Sequence, residues 1–217
     1  MAKLILVRHS ETIFNKEKVF SGLLDVPLSA EGIEQAKILG NILKDEMIDW
    51  VFVSSLIRAK ETAAIVLQEY YNCNKNKIPL FINSTREIDL DKYIPVQADM
   101  RLNERSYGIC EGKKKEIILE QYGEKNVFNW RRGWDSAPPG GETLKDICQR
   151  ITYMLEDDVK PKLEFGNNVL VVCHQNSLRA FKIIIENIKE SDVKSIEFNN
   201  SECVQYNFNR GRFSKLH

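Results

Sequence analysis

The chain has 217 residues, 43% of them hydrophobic and 29% charged, which suits a packed core and excludes the low-hydrophobicity, high-charge composition of disordered chains. Its 31 basic residues balance its 31 acidic ones, so no global field draws it to nucleic acid or to an anionic membrane surface. No stretch approaches the ~18 apolar residues of a membrane span, and the first residues lack a signal-peptide pattern, so a cytoplasmic protein is expected.

In chain order, residues 4–7 predict a strand. Residues 29–46 predict a helix with Ser29 as N-cap and Ile33, Ala36, Leu39, Ile42 and Leu43 on its apolar face. Residues 50–53 predict a second strand, and residues 58–71 a second helix through Ala63, Val66, Leu67 and Tyr70. A third strand is expected at residues 78–82 and a strong one at residues 169–173, leading into a helix over residues 177–188. Residues 203–208 alternate and read as an edge strand, while residues 211–217 read as a loose basic tail. Fully apolar strands separated by helices predict an α/β fold: a three-layer sandwich with a mostly parallel central sheet flanked by helices. Residues 83–141 read as loops and short helices lying over one end of the sheet, so a single domain, 1–217, with an elaborated cap is expected.

Five cysteines, odd in number and without CxxC pairing, are expected to be reduced thiols and indicate neither a disulfide framework nor a zinc site. The Asn-X-Ser/Thr triplets at Asn83 and Asn199 match the glycosylation pattern but carry no weight without an export signal.

Two of only three histidines, His9 and His174, directly follow the two most apolar strand runs. The carboxyl ends of parallel strands form the ligand crevice of an open α/β sheet, so neighbouring strands would bring both imidazoles to one cleft. A lone histidine there is more often structural; two together favour function. Arg8 and Arg58 also fall at strand ends, with Arg179 just behind. Such cations repel a metal dication and grip a phosphate through bidentate contacts, so an anion site without metal is expected.

The segments LVRHSETIFN, FSGLLDVPLSAEG, SSLIRAKET, RLNERSYG, WRRGWDSAPP, GETLKD and VCHQNSLRA follow one another from about Leu4 to about Phe181. Together they resemble the 2,3-bisphosphoglycerate-dependent phosphoglycerate mutases of the histidine phosphatase superfamily. The resemblance implies that His9 accepts a phosphoryl group held by Arg8, Asn15, Arg58 and His174, and that Glu104 is the general acid and base. It assigns Tyr107, Lys115, Arg131 and Arg132 to the carboxylate and far phosphate of the substrate, with Ser21, the Gly22 amide, Thr12 and Asn176 completing the set. It further implies interconversion of 3-phosphoglycerate and 2-phosphoglycerate in glycolysis and gluconeogenesis, 2,3-bisphosphoglycerate as primer, no metal, and a homodimer or homotetramer.

The chain departs from that pattern in five places. Ser10 and Gln175 stand where the family has glycine, the polar stretch 72–92 is longer, the link from Arg132 to His174 is shorter, and little chain follows Tyr206. A less covered cleft admits water, which competes for a phosphohistidine. The alternative is therefore a histidine phosphatase hydrolysing a small phosphorylated metabolite. A metal site built from His9, His174 and Glu104 conflicts with the arginines, and an inert binding module would not need the whole set.

Overall fold

The computed structural model describes residues 1–75, 77–83 and 88–216. Parts of the 72–92 stretch, of the Asn83 triplet and of the 211–217 tail lie outside them. One seven-stranded sheet organises the chain: β1 (Ala2–Arg8), β2 (Trp50–Ser54), β3 (Ile78–Ile82), β4 (Tyr93–Asp99), β5 (Val169–Cys173), β6 (Cys203–Asn209) and β7 (Arg212–Lys215), in the order β3-β4-β2-β5-β1-β6-β7. β1 to β5 run parallel to one another; β6 is antiparallel to β1, and β7 to β6.

Successive strand residues face opposite sides, and both sides are apolar, as a doubly covered sheet requires. Ile5, Val7, Val51, Val53, Leu170 and Val172 pack under helices α2 (Ala30–Ile42) and α3 (Ile57–Asn74). Leu4, Leu6, Phe52, Val169 and Val171 pack under α6 (Leu144–Met154), α7 (Lys160–Glu164) and α8 (Gln175–Glu186). Three layers result, as expected. Burying each such side chain stabilises the fold by about 1.5–3 kcal/mol.

The face of α2 differs from the sequence reading. Ala36, Leu39 and Leu43 are buried, but Ile33 and Ile42 are exposed, and Gly32 and Gly40 take their place. The reason is closeness: a Cβ on Gly40 would lie 2.8 Å from the Val66 carbonyl oxygen of α3. The stripe is thus set by helix approach, not by side-chain hydrophobicity alone.

Two further expectations need correction. Within residues 83–141, β4 joins the sheet between β3 and β2. Pro95 obscures this strand in sequence, yet β4 pairs with β2 only from Val96 onward, beyond the missing N–H. The tail is not loose either: β7 returns along β6 through Arg210 and Gly211, both with positive φ, the geometry of a tight hairpin turn. β7 is therefore the edge strand, and Phe213 packs 4.9 Å from Phe208 between ring centroids.

The rest of the 83–141 region carries α4 (Lys115–Tyr122) and α5 (Glu124–Arg132). They enclose a small core of Phe20, Cys110, Ile118 and Val127, flanked by Tyr107 and Trp130. Trp134 packs against the α6–α8 side of the main core, so both tryptophans are structural.

Candidate active site

β1 and β5 lie side by side with Arg8 opposite Cys173, so the next residue of each strand is a histidine at the same sheet edge. The His9 N–H donates to the Cys173 carbonyl (2.9 Å), and the ring centroids of His9 and His174 are 5.0 Å apart. His9 Nδ1 lies 2.7 Å from the Ser10 carbonyl oxygen. A carbonyl only accepts, so Nδ1 carries the proton and Nε2 keeps its lone pair for the cavity that His9 lines. Burial, then Arg58 and Arg8, hold the His9 pKa well below the ordinary imidazole value. The ring is neutral at physiological pH.

His174 is fully buried and both its nitrogens are engaged by protein. Nδ1 accepts from Arg58 Nε (3.2 Å), and Nε2 lies 2.7 Å from Ser54 Oγ, which donates to Asn103 Oδ1 (2.8 Å). It stands behind His9 and Arg58 and does not line the cavity, contrary to the sequence expectation. Burial and then Arg58 hold its pKa well below the ordinary value.

Arg58 opens α3 beneath the β2 end, and its remaining bonds go to Gly22 O and Leu24 O, each at 2.8 Å. Three of its five N–H groups are thereby spent on aiming it. Gly22 has φ +51, and a Cβ there would lie 2.1 Å from Glu111 Oε1, so the loop that receives Arg58 requires glycine. Arg8 donates through Nη1 to Phe198 O (2.5 Å), and its Nε is buried without a partner among the described residues. Burial is the main cause that lowers the pKa of both arginines.

Glu104 follows the short turn after β4 and is 7% exposed. Its Oε1 accepts from the Arg105 N–H (2.8 Å), Asn176 Nδ2 (2.9 Å) and the Asn176 N–H (3.3 Å). The last of these belongs to the first turn of α8, whose N-terminus points positive partial charge at the site. Among the described residues every hydrogen bond to this carboxyl falls on Oε1, which leaves Oε2 to the cavity that Glu104 lines.

Tyr107, Lys115, Arg131 and Arg132 line the same cavity, about 260 Å³ in volume, together with Asn15, Ser21, Gly22 and Asn176. Its lining holds five cationic side chains, Arg8, Arg58, Lys115, Arg131 and Arg132, against two carboxylates, Glu104 and Glu197. Lys115 feels that excess: burial, then Arg131 and Arg8, push its pKa down to about 8. Arg131 and Arg132 are held from behind by fully buried Arg179, which donates to their backbone carbonyls (3.1 and 2.9 Å) and to Asn176 Oδ1 (2.9 Å). That fits the supporting place its sequence position suggested.

Thr12 is the other expected residue outside the lining. It is buried as N-cap of the short helix α1 (Ile13–Lys16), exchanging bonds with Asn15, so it orients Asn15. Ser10 also points away: its hydroxyl meets Ser201 Oγ at 2.8 Å and does not crowd the cavity. Gln175 does line it. Sequence reasoning missed Glu197 and Asn200, which reach the site on the segment before β6. Asn200 donates to His9 O (3.1 Å) and Asn15 Oδ1 (3.3 Å). The only signal was the Asn199 triplet, which contains Asn200 and Ser201.

Among the described residues no group of three or more His, Cys, Asp or Glu side chains is placed to hold a metal ion. No helix among them is long and apolar enough to cross a membrane.

A neutral imidazole facing guanidiniums, with a carboxyl group alongside, is the equipment of proteins that move phosphoryl groups through histidine. The sequence pattern of the histidine phosphatase superfamily (branch 1) matches residues 4–76 and 82–217. The chain is 38% identical to the 2,3-bisphosphoglycerate-dependent phosphoglycerate mutase of Methanococcus vannielii, covering 100% of this chain and 94% of that protein. It is 35% identical to the protein of the same name from Chlamydia muridarum, covering 99% and 97%. Among solved structures, Bacillus stearothermophilus YhfR superposes with a TM-score of 0.80 at 25% identity, covering 99% of this chain and 95% of that one. The chain belongs to the histidine phosphatase superfamily and, within it, to the 2,3-bisphosphoglycerate-dependent phosphoglycerate mutase family.

Proposed function

We propose that the protein interconverts 3-phosphoglycerate and 2-phosphoglycerate through a phosphohistidine at His9, as a single cytoplasmic domain of residues 1–217, homodimeric or homotetrameric and without metal. The observation that carries this reading is one cavity lined by a neutral His9, by Glu104 and by the cationic side chains Arg8, Arg58, Lys115, Arg131 and Arg132. The names of the relatives from Methanococcus vannielii and Chlamydia muridarum support it.

In this reading His9 Nε2 attacks phosphorus in line, forming the N–P bond as the O–P bond breaks. Arg8, Arg58 and Asn15 hold the three equatorial oxygens, with His174 acting through Arg58. Glu104 Oε2 gives its proton to the leaving oxygen and takes one from the hydroxyl that next receives the phosphoryl group. Lys115, Arg131, Arg132 and Tyr107 bind the carboxylate end, with Asn176, Ser21 and the Gly22 amide adding hydrogen bonds. The lining cations suit a molecule with two phosphates, and 2,3-bisphosphoglycerate bound there supplies the phosphoryl group that primes His9.

The test is the fate of 3-phosphoglycerate with catalytic 2,3-bisphosphoglycerate, followed by phosphorus NMR. Accumulation of 2-phosphoglycerate with little free phosphate supports the mutase. Free phosphate without isomerisation makes the protein a histidine phosphatase of small phosphorylated metabolites instead.

A further inference from the structure

The cavity holds a second carboxylate, Glu197, which the reaction above does not use. Its Oε1 accepts from Arg132 Nη2, while Arg132 Nη1 donates to the carbonyl of the neighbouring Ile196 (3.4 Å). The guanidinium meant for an acidic group is therefore already paired with an acidic group of the chain itself. Arg131, one residue earlier, has no side-chain hydrogen bond among the described residues.

Glu197 is presented by a segment tied down along its length. Phe198 O receives Arg8 Nη1, Asn200 bonds His9 O and Asn15 Oδ1, and Ser201 Oγ meets Ser10 Oγ. The backbone of residues 196–201 is thus fixed across the site, whereas the Glu197 side chain is 63% exposed and free to swing outward. Arg132, then Arg131 and Arg8, hold its carboxyl below the usual carboxylate range, so it is charged at neutral pH.

We propose that Glu197 is a specificity-determining residue that competes with the acidic group of the substrate for Arg132. A ligand carboxylate reaching Arg132 has to break the Glu197 pair and share the cavity with its displaced charge. A ligand carrying phosphate and neutral hydroxyls meets neither cost. The inference rests on the mutase reading only in taking that acidic group to be the carboxylate of a phosphoglycerate.

Calorimetric titration of the wild type and Glu197→Gln with 3-phosphoglycerate and with glycerol 3-phosphate, which lacks the carboxylate, tests it. Exposed ion pairs and rim charges have modest effects, so 3-phosphoglycerate is expected to bind Glu197→Gln roughly 3- to 10-fold more tightly. Glycerol 3-phosphate should change by less than about twofold. In an Arg132→Gln background, Glu197→Gln should no longer alter 3-phosphoglycerate binding, which a merely structural role would not predict. Equal tightening of both ligands, unchanged or weaker 3-phosphoglycerate binding, or no binding of it to either protein would each overturn the proposal. Ligand-selective tightening in a protein that fails to isomerise 3-phosphoglycerate would leave the competition standing and remove the mutase reading.

Discussion

At His9 a single hydrogen bond sets the tautomer: the Ser10 carbonyl fixes the proton on Nδ1, and burial, then Arg58 and Arg8, keep the ring neutral. Glu104 is arranged in the same spirit, with three N–H groups held on Oε1, and in the proposed reaction Oε2 moves the proton. General acid–base catalysis contributes about 10²–10⁴-fold, so Glu104→Gln is predicted to lower kcat by that factor with little change in KM, read from steady-state kinetics. Lys115 gives a pH signature. With its pKa at about 8 it is mostly protonated at pH 7 and mostly neutral at pH 9, so acid phosphates should bind more weakly as pH rises through 8. The predicted loss in affinity between pH 7 and pH 9 is roughly 3- to 10-fold, and Lys115→Met should flatten it. Titrations at both pH values check this; a slope that persists in Lys115→Met would assign it to another group.

The elements around the site differ in how readable they are. His9 and His174 were legible because each follows a run of apolar strand residues, and Arg58 because it opens the helix after β2; parallel strands place such positions at one edge. Glu104 and the Arg131–Arg132 pair were legible only through the resemblance, since a lone glutamate or a loop charge run says nothing by itself. Glu197 and Asn200 were not legible: they reach the site because β6 pairs antiparallel with β1, and that register depends on the whole sheet. The helix α5 shows how an element end is aimed. Arg179 supplies donors to the carbonyls of Arg131, Arg132 and Val193, and a buried acceptor left unpaired costs about 1–3 kcal/mol. Arg179→Met is therefore predicted to lower stability by at least about 2–4 kcal/mol in urea unfolding and to raise KM more than it lowers kcat. A KM unchanged at equal stability loss would show that the α5 end does not need Arg179 for aim.

Over the whole molecule, α/β architecture and three layers followed from the strand and helix periodicities, while β4, β7 and the α2 face did not. For β4 and the α2 face the deciding contact lies far away in sequence, Val96 against Val51 and Gly40 against Val66, whereas β7 follows from a local hairpin through Arg210 and Gly211. The sheet edge also sets how the fold responds to acid. His9 and His174 have folded-state pKa values well below the ordinary imidazole value, so below pH about 6.5 the unfolded chain takes up protons that the folded chain refuses. Stability is full above that pH and is predicted to fall as pH drops from 6.5 to 5.5, by up to about 1.4 kcal/mol per pH unit for each histidine. Urea unfolding in phosphate-free buffer measures the slope, and His174→Gln should roughly halve it.

His9 carrying the phosphoryl group is the centre of the proposed chemistry. The most direct measurement is to incubate the protein with phosphorus-32-labelled 2,3-bisphosphoglycerate, quench in base, and map the label by peptide mass spectrometry. The prediction is an acid-labile, base-stable phosphohistidine on His9, absent from His9→Asn, whose turnover drops by on the order of 10⁴-fold or more. Label on any other residue, or full turnover in His9→Asn, would contradict it.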